Sequence, residues 1–427
     1  MDTTGSGVVE HCSRLIRCDT STPDRGEADA AAYVRDVVAA AGLTCRWFEP
    51  EPRRVSLVTR LPGTDASLPP LVVHSHLDTV PAVPRDWTVD PFGGLVEDGY
   101  VWGRGAVDMK GMVAATLSVV ERLAAAGRRP RRDIVLAFFA DEESGGRLGA
   151  QYVTDTRPDL FAGCEQAIGE VGGFSHTFPS GDRAFLVATG EKGVLWAELD
   201  TSGTAGHGSM VHPDNAITVL SRAVLQLADQ PFERRLTPAM ASFTAGAAEL
   251  LGTAPDDIEG MLDGLGPLAR VIRAALQDTV NPTTLAAGYK VNVVPGTATA
   301  TLDGRFLPGS EGTFGALLRG VAGDRLQFRE IFSGPALEVP TTGPLMSAIC
   351  AAVQAEDPGA HVLPYLSTPF TDAKWLSRLG IDCYGFVPML LPADLDFTAL
   401  FHGVDERVPT ESLEFCVRTL ERLLLAY

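Results

Sequence analysis

His76 and Asp78 stand two positions apart in the run Val72-Val73-His74-Ser75-His76-Leu77-Asp78-Thr79-Val80-Pro81. On a strand or its extended continuation, residues two apart face the same way, so the imidazole and the carboxylate project together. A carboxylate beside an imidazole orients the ring and raises its basicity, the usual support for a metal-binding histidine. For this run alone, a solvated strand end that happens to carry both residues is the alternative.

Four further runs add to it. Trp102-Gly103-Arg104-Gly105-Ala106-Val107-Asp108-Met109-Lys110-Gly111 holds Asp108 on a glycine-bearing loop just before a helix. There it can give one oxygen to each of two cations, or simply cap the helix. Phe138-Phe139-Ala140-Asp141-Glu142-Glu143-Ser144-Gly145-Gly146 places adjacent glutamates after a strongly apolar strand. Adjacent side chains diverge, so one can bind a metal while the other acts as a base. Ile168-Gly169-Glu170-Val171-Gly172-Gly173 repeats the pattern of a carboxylate at an apolar strand end, and Leu400-Phe401-His402-Gly403-Val404-Asp405-Glu406-Arg407-Val408-Pro409 supplies a second imidazole. Together His76, Asp108, Glu143, Glu170 and His402 offer two imidazoles and three carboxylates, a donor set suited to two zinc ions. The chain has no Gly-x-Ser-x-Gly turn, no His-Glu-x-x-His helix and no phosphate loop, which removes the main rival hydrolase classes.

Residues so far apart can meet only through a fold that gathers strand ends. Leu71–His76 and Asp133–Ala140 are apolar runs separated by the helical composition of 112–126, an order that predicts a parallel α/β sheet with its site at the carboxyl ends of strands. Residues 27–41 read as a helix that stops at Gly42. From about Gly193 the texture changes. Strands over 194–200, 284–294, 297–306 and 325–332 alternate with helices over 215–229 and 313–321. This is the split βαβ order of a ferredoxin-like α+β unit, enlarged by a helical stretch around 231–280. From about Gly343 the first texture resumes, as an inserted domain requires. The expected division is a catalytic domain of residues 1–192 and 336–427 around an inserted domain of residues 193–335.

Taken in order, the five motifs resemble those of the dinuclear zinc aminoacylase and carboxypeptidase family, which includes succinyl-diaminopimelate desuccinylase and acetylornithine deacetylase. The resemblance spans essentially the whole chain. It implies a zinc-peptidase-like catalytic domain, with a mixed central sheet flanked by helices, and an inserted lid and dimerisation domain. It also implies two Zn2+ per chain, with Co2+ or Mn2+ as substitutes. One ion would be held by His76 and Glu170, the other by Glu143 and His402, with Asp108 bridging. Glu142 would be the general base on the metal-bridging water, and Asp78 would orient His76. The implied reaction is cleavage of the amide bond of an N-acyl amino acid or small peptide bearing a free carboxylate. His207, in Gly206-His207-Gly208-Ser209, would stabilise the oxyanion, commonly in the partner's site of a homodimer. Asn292 and Arg305 match positions that hold the substrate carboxylate, Arg by bidentate pairing. A solvated loop histidine and a surface ion pair are the alternatives for His207 and Arg305.

One segment departs from the family. Leu366-Ser367-Thr368-Pro369-Phe370-Thr371-Asp372-Ala373-Lys374 resembles its Gly-Gly-Thr-Asp-Ala loop, with Pro369 and Phe370 where glycines are usual. A rigid ring and a large aromatic should narrow or reshape the pocket, which admits a specialised biosynthetic member that deacylates, or forms the amide of, one intermediate. A non-catalytic binding protein that keeps the fold is the rival of another class, and the complete ligand set with Glu142 argues against it. His74 shares the face of His76 and reads as a packed histidine; His11, His176, His212 and His361 lack partner motifs.

Bulk properties agree. The 427 residues are 45% hydrophobic and 21% charged, fitting a packed enzyme of two domains or of one domain with a large insertion. With 35 basic and 54 acidic residues the net charge is −19, which disfavours nucleic acid and anionic membranes as partners. Seven scattered cysteines, an odd number without a Cys-x-x-Cys pair, predict free thiols. The first residues, Met1 to Gly7, lack the features of a signal peptide, and a cytoplasmic location is expected.

Overall fold

The apolar runs become the inner strands of a ten-stranded mixed sheet. Leu71–His76 and Ile134–Phe139 are buried at every position, as strands covered on both faces must be. The order across the sheet is Arg46–Glu51, Arg54–Leu61, Ile134–Phe139, Leu71–His76, Gln166–Gly169, Asp382–Gly385, Arg183–Glu191 and Leu337–Glu338; His361–Ser367 and Ser175–Thr177 also pair with Arg183–Glu191. The computed structural model describes residues 7–427, so Met1–Ser6, read above for a targeting signal, lie outside the described residues.

Leu71–His76 runs parallel to both Ile134–Phe139 and Gln166–Gly169, and Asp382–Gly385 runs parallel to the latter. Their carboxyl ends therefore fall on one edge. The register sets His76 opposite Phe139 and Val73 opposite Ile168, so the segments holding Glu142 and Glu170 leave the sheet beside His76. One face is covered by Lys110–Ala125, against which Gly7–Ile16, Ala28–Ala40 and Thr410–Ala426 pack. The other carries Ala150–Thr156 and Ala373–Ser377 over Val72, Val135 and Ala167.

A separate four-stranded antiparallel sheet follows the order Thr279–Ala287, Thr297–Phe306, Gly193–Ser202, Gln327–Gly334. In chain order this is second, third, first, fourth, the arrangement of a split βαβ unit. Helices Ala216–Ala228 and Glu311–Ala322 bury Leu220, Phe314 and Leu318 with Leu195 and Leu199 of the sheet.

Two expectations change. The strand read over 284–294 runs Thr279–Ala287, and Val293–Val294 instead pair with Gly206–His207 in a small ribbon. The helical stretch does not enlarge the small sheet. Pro238–Leu251, Ile258–Gly264 and Ala269–Ala275 bury Met240, Phe243, Met261 and Ile272 in the core of the large sheet. Gly246 makes the close approach possible, because a Cβ there would lie 2.4 Å from Leu363 Cδ2. All seven cysteines are free, and no helix among the described residues is long and apolar enough to cross a membrane.

Candidate metal centre

Asp108 lies between the two imidazoles. Its Oδ1 is 3.1 Å from His76 Nε2 and its Oδ2 is 3.3 Å from His402 Nε2. Glu170 Oε2 stands 3.3 Å from His76 Nε2, and Glu143 Oε2 stands 3.1 Å from His402 Nε2. The ligand atoms of His76, Asp108 and Glu170 lie within 4.8 Å of one another, and so do those of Asp108, Glu143 and His402. Asp108 belongs to both triads. The five residues read from the sequence therefore meet at the carboxyl edge of the large sheet.

Asp78 does more than face the ring. His76 Nδ1 is 3.0 Å from the Asp78 carbonyl oxygen and 3.5 Å from its carboxylate. That carboxylate also accepts the N–H groups of Glu142 and Glu143, each at 3.1 Å. Asp78 thus sets the histidine and the glutamate pair relative to each other. Glu142 Oε2 lies 4.0 Å from His76 Nε2, within reach of anything held between the imidazoles.

Charge in the cluster is unbalanced. Burial, then Glu170, push the Glu142 carboxyl well above its usual range, and burial raises Glu170 to about 7. Burial also works against Asp108, yet hydrogen bonds from His402 and His76 hold it below the usual carboxylate range. Those to Asp108 and Glu143 lift His402 to about 10. Glu143 Oε1 and Glu170 Oε1 are buried with no hydrogen-bond partner among the described residues. Buried carboxylate oxygens without donors are costly in an apolar setting, and cations remove that cost. Nitrogen and oxygen donors of this kind suit zinc, cobalt or manganese, so the residues present fit divalent metal.

Two supporting residues escaped the sequence reading. Glu406, fully buried, accepts N–H bonds from Gly105 at 3.1 Å, Val107 at 2.7 Å and Asp108 at 3.1 Å, and pairs with Arg104 at 2.6 Å. Arg104 in turn donates to the carbonyl of His402 at 3.2 Å. One ion pair thereby anchors the backbone of both Asp108 and His402. Glu406 lies in the last motif, but a carboxylate that accepts backbone N–H groups looks, in sequence, like one that binds metal. His74 is buried, and burial pushes it down to about 3. Its ring packs on Gly169, where a Cβ would lie 2.0 Å from Nε2.

The cluster forms one end of a cavity of about 430 Å³, a volume suited to a small organic ligand. Asp108, Glu142, Glu143, Glu170 and His402 line it together with Phe174, Val271, Ala274, Tyr365, Pro369, Phe370 and Phe401. Arg305 also reaches it. Its Nε and Nη2 pair with Asp303 at 2.6 and 3.0 Å, while Nη1 is buried with no partner among the described residues. His207 and Asn292 do not line the cavity. They sit together on the ribbon, where the Gly208 N–H donates to the Asn292 carbonyl at 3.0 Å, and both are exposed beside Met210, Val211, Tyr289 and Val291.

A metal-fitting cluster at the carboxyl edge of an α/β sheet, opening on a cavity under a second sheet, defines a metal-dependent hydrolase. The chain belongs to the peptidase family M20/M25/M40, whose model matches residues 72–426. It is 30% identical over 384 residues to the probable carboxypeptidase S-like 2 of Dictyostelium discoideum, covering 83% of this chain and 70% of that protein. Identity is 28% over 393 residues to the N-fatty-acyl-amino acid synthase/hydrolase PM20D1 of Xenopus tropicalis, covering 86% and 74%. The fold matches the crystal structure of the M20 family metallo-carboxypeptidase Sso-CP2 from Sulfolobus solfataricus with a TM-score of 0.76, at 19% identity, over 100% of this chain and 99% of that one. The family read from the motifs is the family found, and the chain is a hydrolytic enzyme of it.

Proposed function

We propose that this enzyme hydrolyses the amide bond of an N-acyl amino acid or small peptide with a free carboxylate, and that His76, Asp108, Glu143, Glu170 and His402 would hold two divalent cations for it. The observation that carries the reading is the division of Asp108, one oxygen beside His76 and the other beside His402. Glu170 completes the first site and Glu143 the second. Two cations held there supply Lewis acidity toward the scissile carbonyl and make a water nucleophilic near neutral pH.

The protein's own groups do the rest. Glu142 accepts the proton of the attacking water and returns it to the leaving amine, a role worth roughly 10²–10⁴-fold in rate. Asp78 keeps Glu142 in reach by holding its backbone N–H. Arg305 offers its unpartnered Nη1 to the substrate carboxylate, and Phe174, Val271 and Phe401 accept an apolar acyl group or side chain. His207 and Asn292 act on the site of a second subunit, because their ribbon is exposed and away from the cavity of their own chain. The working division is a catalytic domain of residues 1–192 and 336–427 and an inserted lid of residues 193–335, with the helices of 238–275 packed on the catalytic side.

Assay of the zinc-loaded enzyme on a panel of N-acyl amino acids and dipeptides tests this. Release of free amino acid from substrates with a carboxylate, and not from their amides, is expected. Turnover that ignores the carboxylate would remove the role of Arg305. The second reading, a member devoted to one intermediate or to amide formation, is favoured by Pro369 and Phe370 in the cavity wall. A fatty-acyl-amino acid synthase/hydrolase among the relatives also supports it. Incubation with acyl donor and amine, followed by product analysis, separates the two.

A further inference from the structure

The chain passes from the large sheet to the small one through Lys192, the single residue between strands Arg183–Glu191 and Gly193–Ser202, and returns through Pro335 and Ala336. At this junction Glu191 and Lys192 are buried, and their side chains bond to two different segments beside the cavity.

Glu191 takes the wall formed by Thr368, Pro369 and Phe370. Its carboxylate accepts the Thr371 N–H at 2.9 Å, the Thr371 hydroxyl at 2.7 Å and the Lys374 ammonium at 2.7 Å. Lys374 spends its other two hydrogens on the chain crossings themselves, the Lys192 and Pro335 carbonyls, each at 2.8 Å. Its ammonium also lies 5.8 Å from the centre of the Phe370 ring. Phe370 in turn meets Phe332 of the small sheet edge to face, 5.5 Å between ring centres.

Lys192 takes the part of the lining formed by Val271, Ala274 and Thr279. Its ammonium donates to the Ala274 carbonyl at 3.1 Å, the Gln277 carbonyl at 2.7 Å and the Thr279 hydroxyl at 3.1 Å. Thr279 is paired across the small sheet with Arg305. All three donors of each lysine are used, and neither ammonium is exposed. Burial of two lysines and a glutamate is costly unless each is fully hydrogen-bonded, so such a network holds its neighbours in one geometry.

We propose that Glu191 and Lys192, with Lys374, are positioning residues that set the spacing of the two cavity walls and thereby the size of the apolar group the enzyme admits. This rests on the reading that the cavity binds substrate. Glu191 fixes the Pro369–Phe370 wall and Lys192 fixes the Val271–Thr279 wall, so each can be loosened separately.

The test compares the zinc-loaded wild-type enzyme with Lys192→Met, with the double variant Glu191→Gln/Lys374→Met, and with Thr371→Val, which removes one hydroxyl and keeps the fold. Hydrogen exchange is read at 271–279 and 368–374, and kcat and KM are measured on N-acyl amino acids of graded acyl length. Faster exchange is expected at 271–279 in Lys192→Met alone, and at 368–374 in the other two. KM for the longest acyl groups should shift by about threefold or more relative to short ones, with kcat held within about twofold. Unchanged exchange at both walls, or a uniform fall in kcat without a length-dependent change in KM, overturns the proposal. If the wild type turns over no member of the panel, the substrate reading fails, while exchange still decides the positioning claim.

Discussion

Glu406→Gln removes a charge and no volume, and its effect can be worked from four hydrogen bonds. Oε1 of Glu406 accepts the N–H groups of Val107 and Asp108, and Oε2 accepts Gly105 N–H and the Arg104 guanidinium. Glutamine has one oxygen. Turned toward Arg104, it leaves the Val107 and Asp108 N–H groups facing an amide NH2. At roughly 1–3 kcal/mol for each buried donor left unmade, the cost is about 2–6 kcal/mol. Turned the other way, it leaves Arg104 as a buried charge without its partner, about 3–5 kcal/mol. In the first case the loss falls on the backbone of Asp108, and in the second on Gly105 and, through the Arg104 contact, on the backbone of His402. Metal affinity should drop by about 10–100-fold, the usual effect of losing a group that orients ligands. Competition with a chromophoric chelator measures it. A Glu406→Gln protein that holds zinc as tightly as the wild type would falsify the view that this carboxylate positions the bridge.

Other outcomes follow from the same geometry. Glu142→Gln should lower turnover by about 10²–10⁴-fold with zinc content unchanged by elemental analysis; an active variant removes the proton-transfer role. Arg305→Met should raise KM for substrates with a free carboxylate by about tenfold or more, and leave the corresponding amides unaffected. In the metal-free protein Glu170 is raised from 4.5 to about 7, so the folded state binds the extra proton between those values. Its contribution to stability is present at low pH and is lost as pH rises through about 7, a slope that zinc should abolish; urea titrations at several pH values read this. Sedimentation should give a dimer, and a strictly monomeric, fully active enzyme would refute the action of His207 across subunits.

The cluster of His76, Asp108, Glu143, Glu170 and His402 is legible because each residue sits within a few residues of the end of an apolar strand or in a glycine-marked loop, and parallel strands bring such ends together. The supports of the cluster and of the cavity are less so. Glu406, Glu191 and Lys374 act through backbone partners far away in the chain, and no local spacing announces them. The helices of 238–275 lie in sequence between strands of the small sheet. Only packing, with Gly246 against Leu363, reveals that they cover the large one. The strand over 279–287 starts several residues before its sequence pattern shows, because Pro282 within it weakens the strand signal. Phe370 was read as a pocket-narrowing residue; it does line the cavity, but its ring also packs against Phe332 and so joins the two sheets.

Asp108, between His76 and His402, is proposed to serve two cations at once. Crystals of the zinc-loaded enzyme, measured on both sides of the zinc absorption edge, test it directly. Two anomalous peaks per chain about 3.5–4 Å apart are predicted, one beside His76 and Glu170 and the other beside Glu143 and His402. A single peak per chain in crystals of fully active enzyme would contradict it.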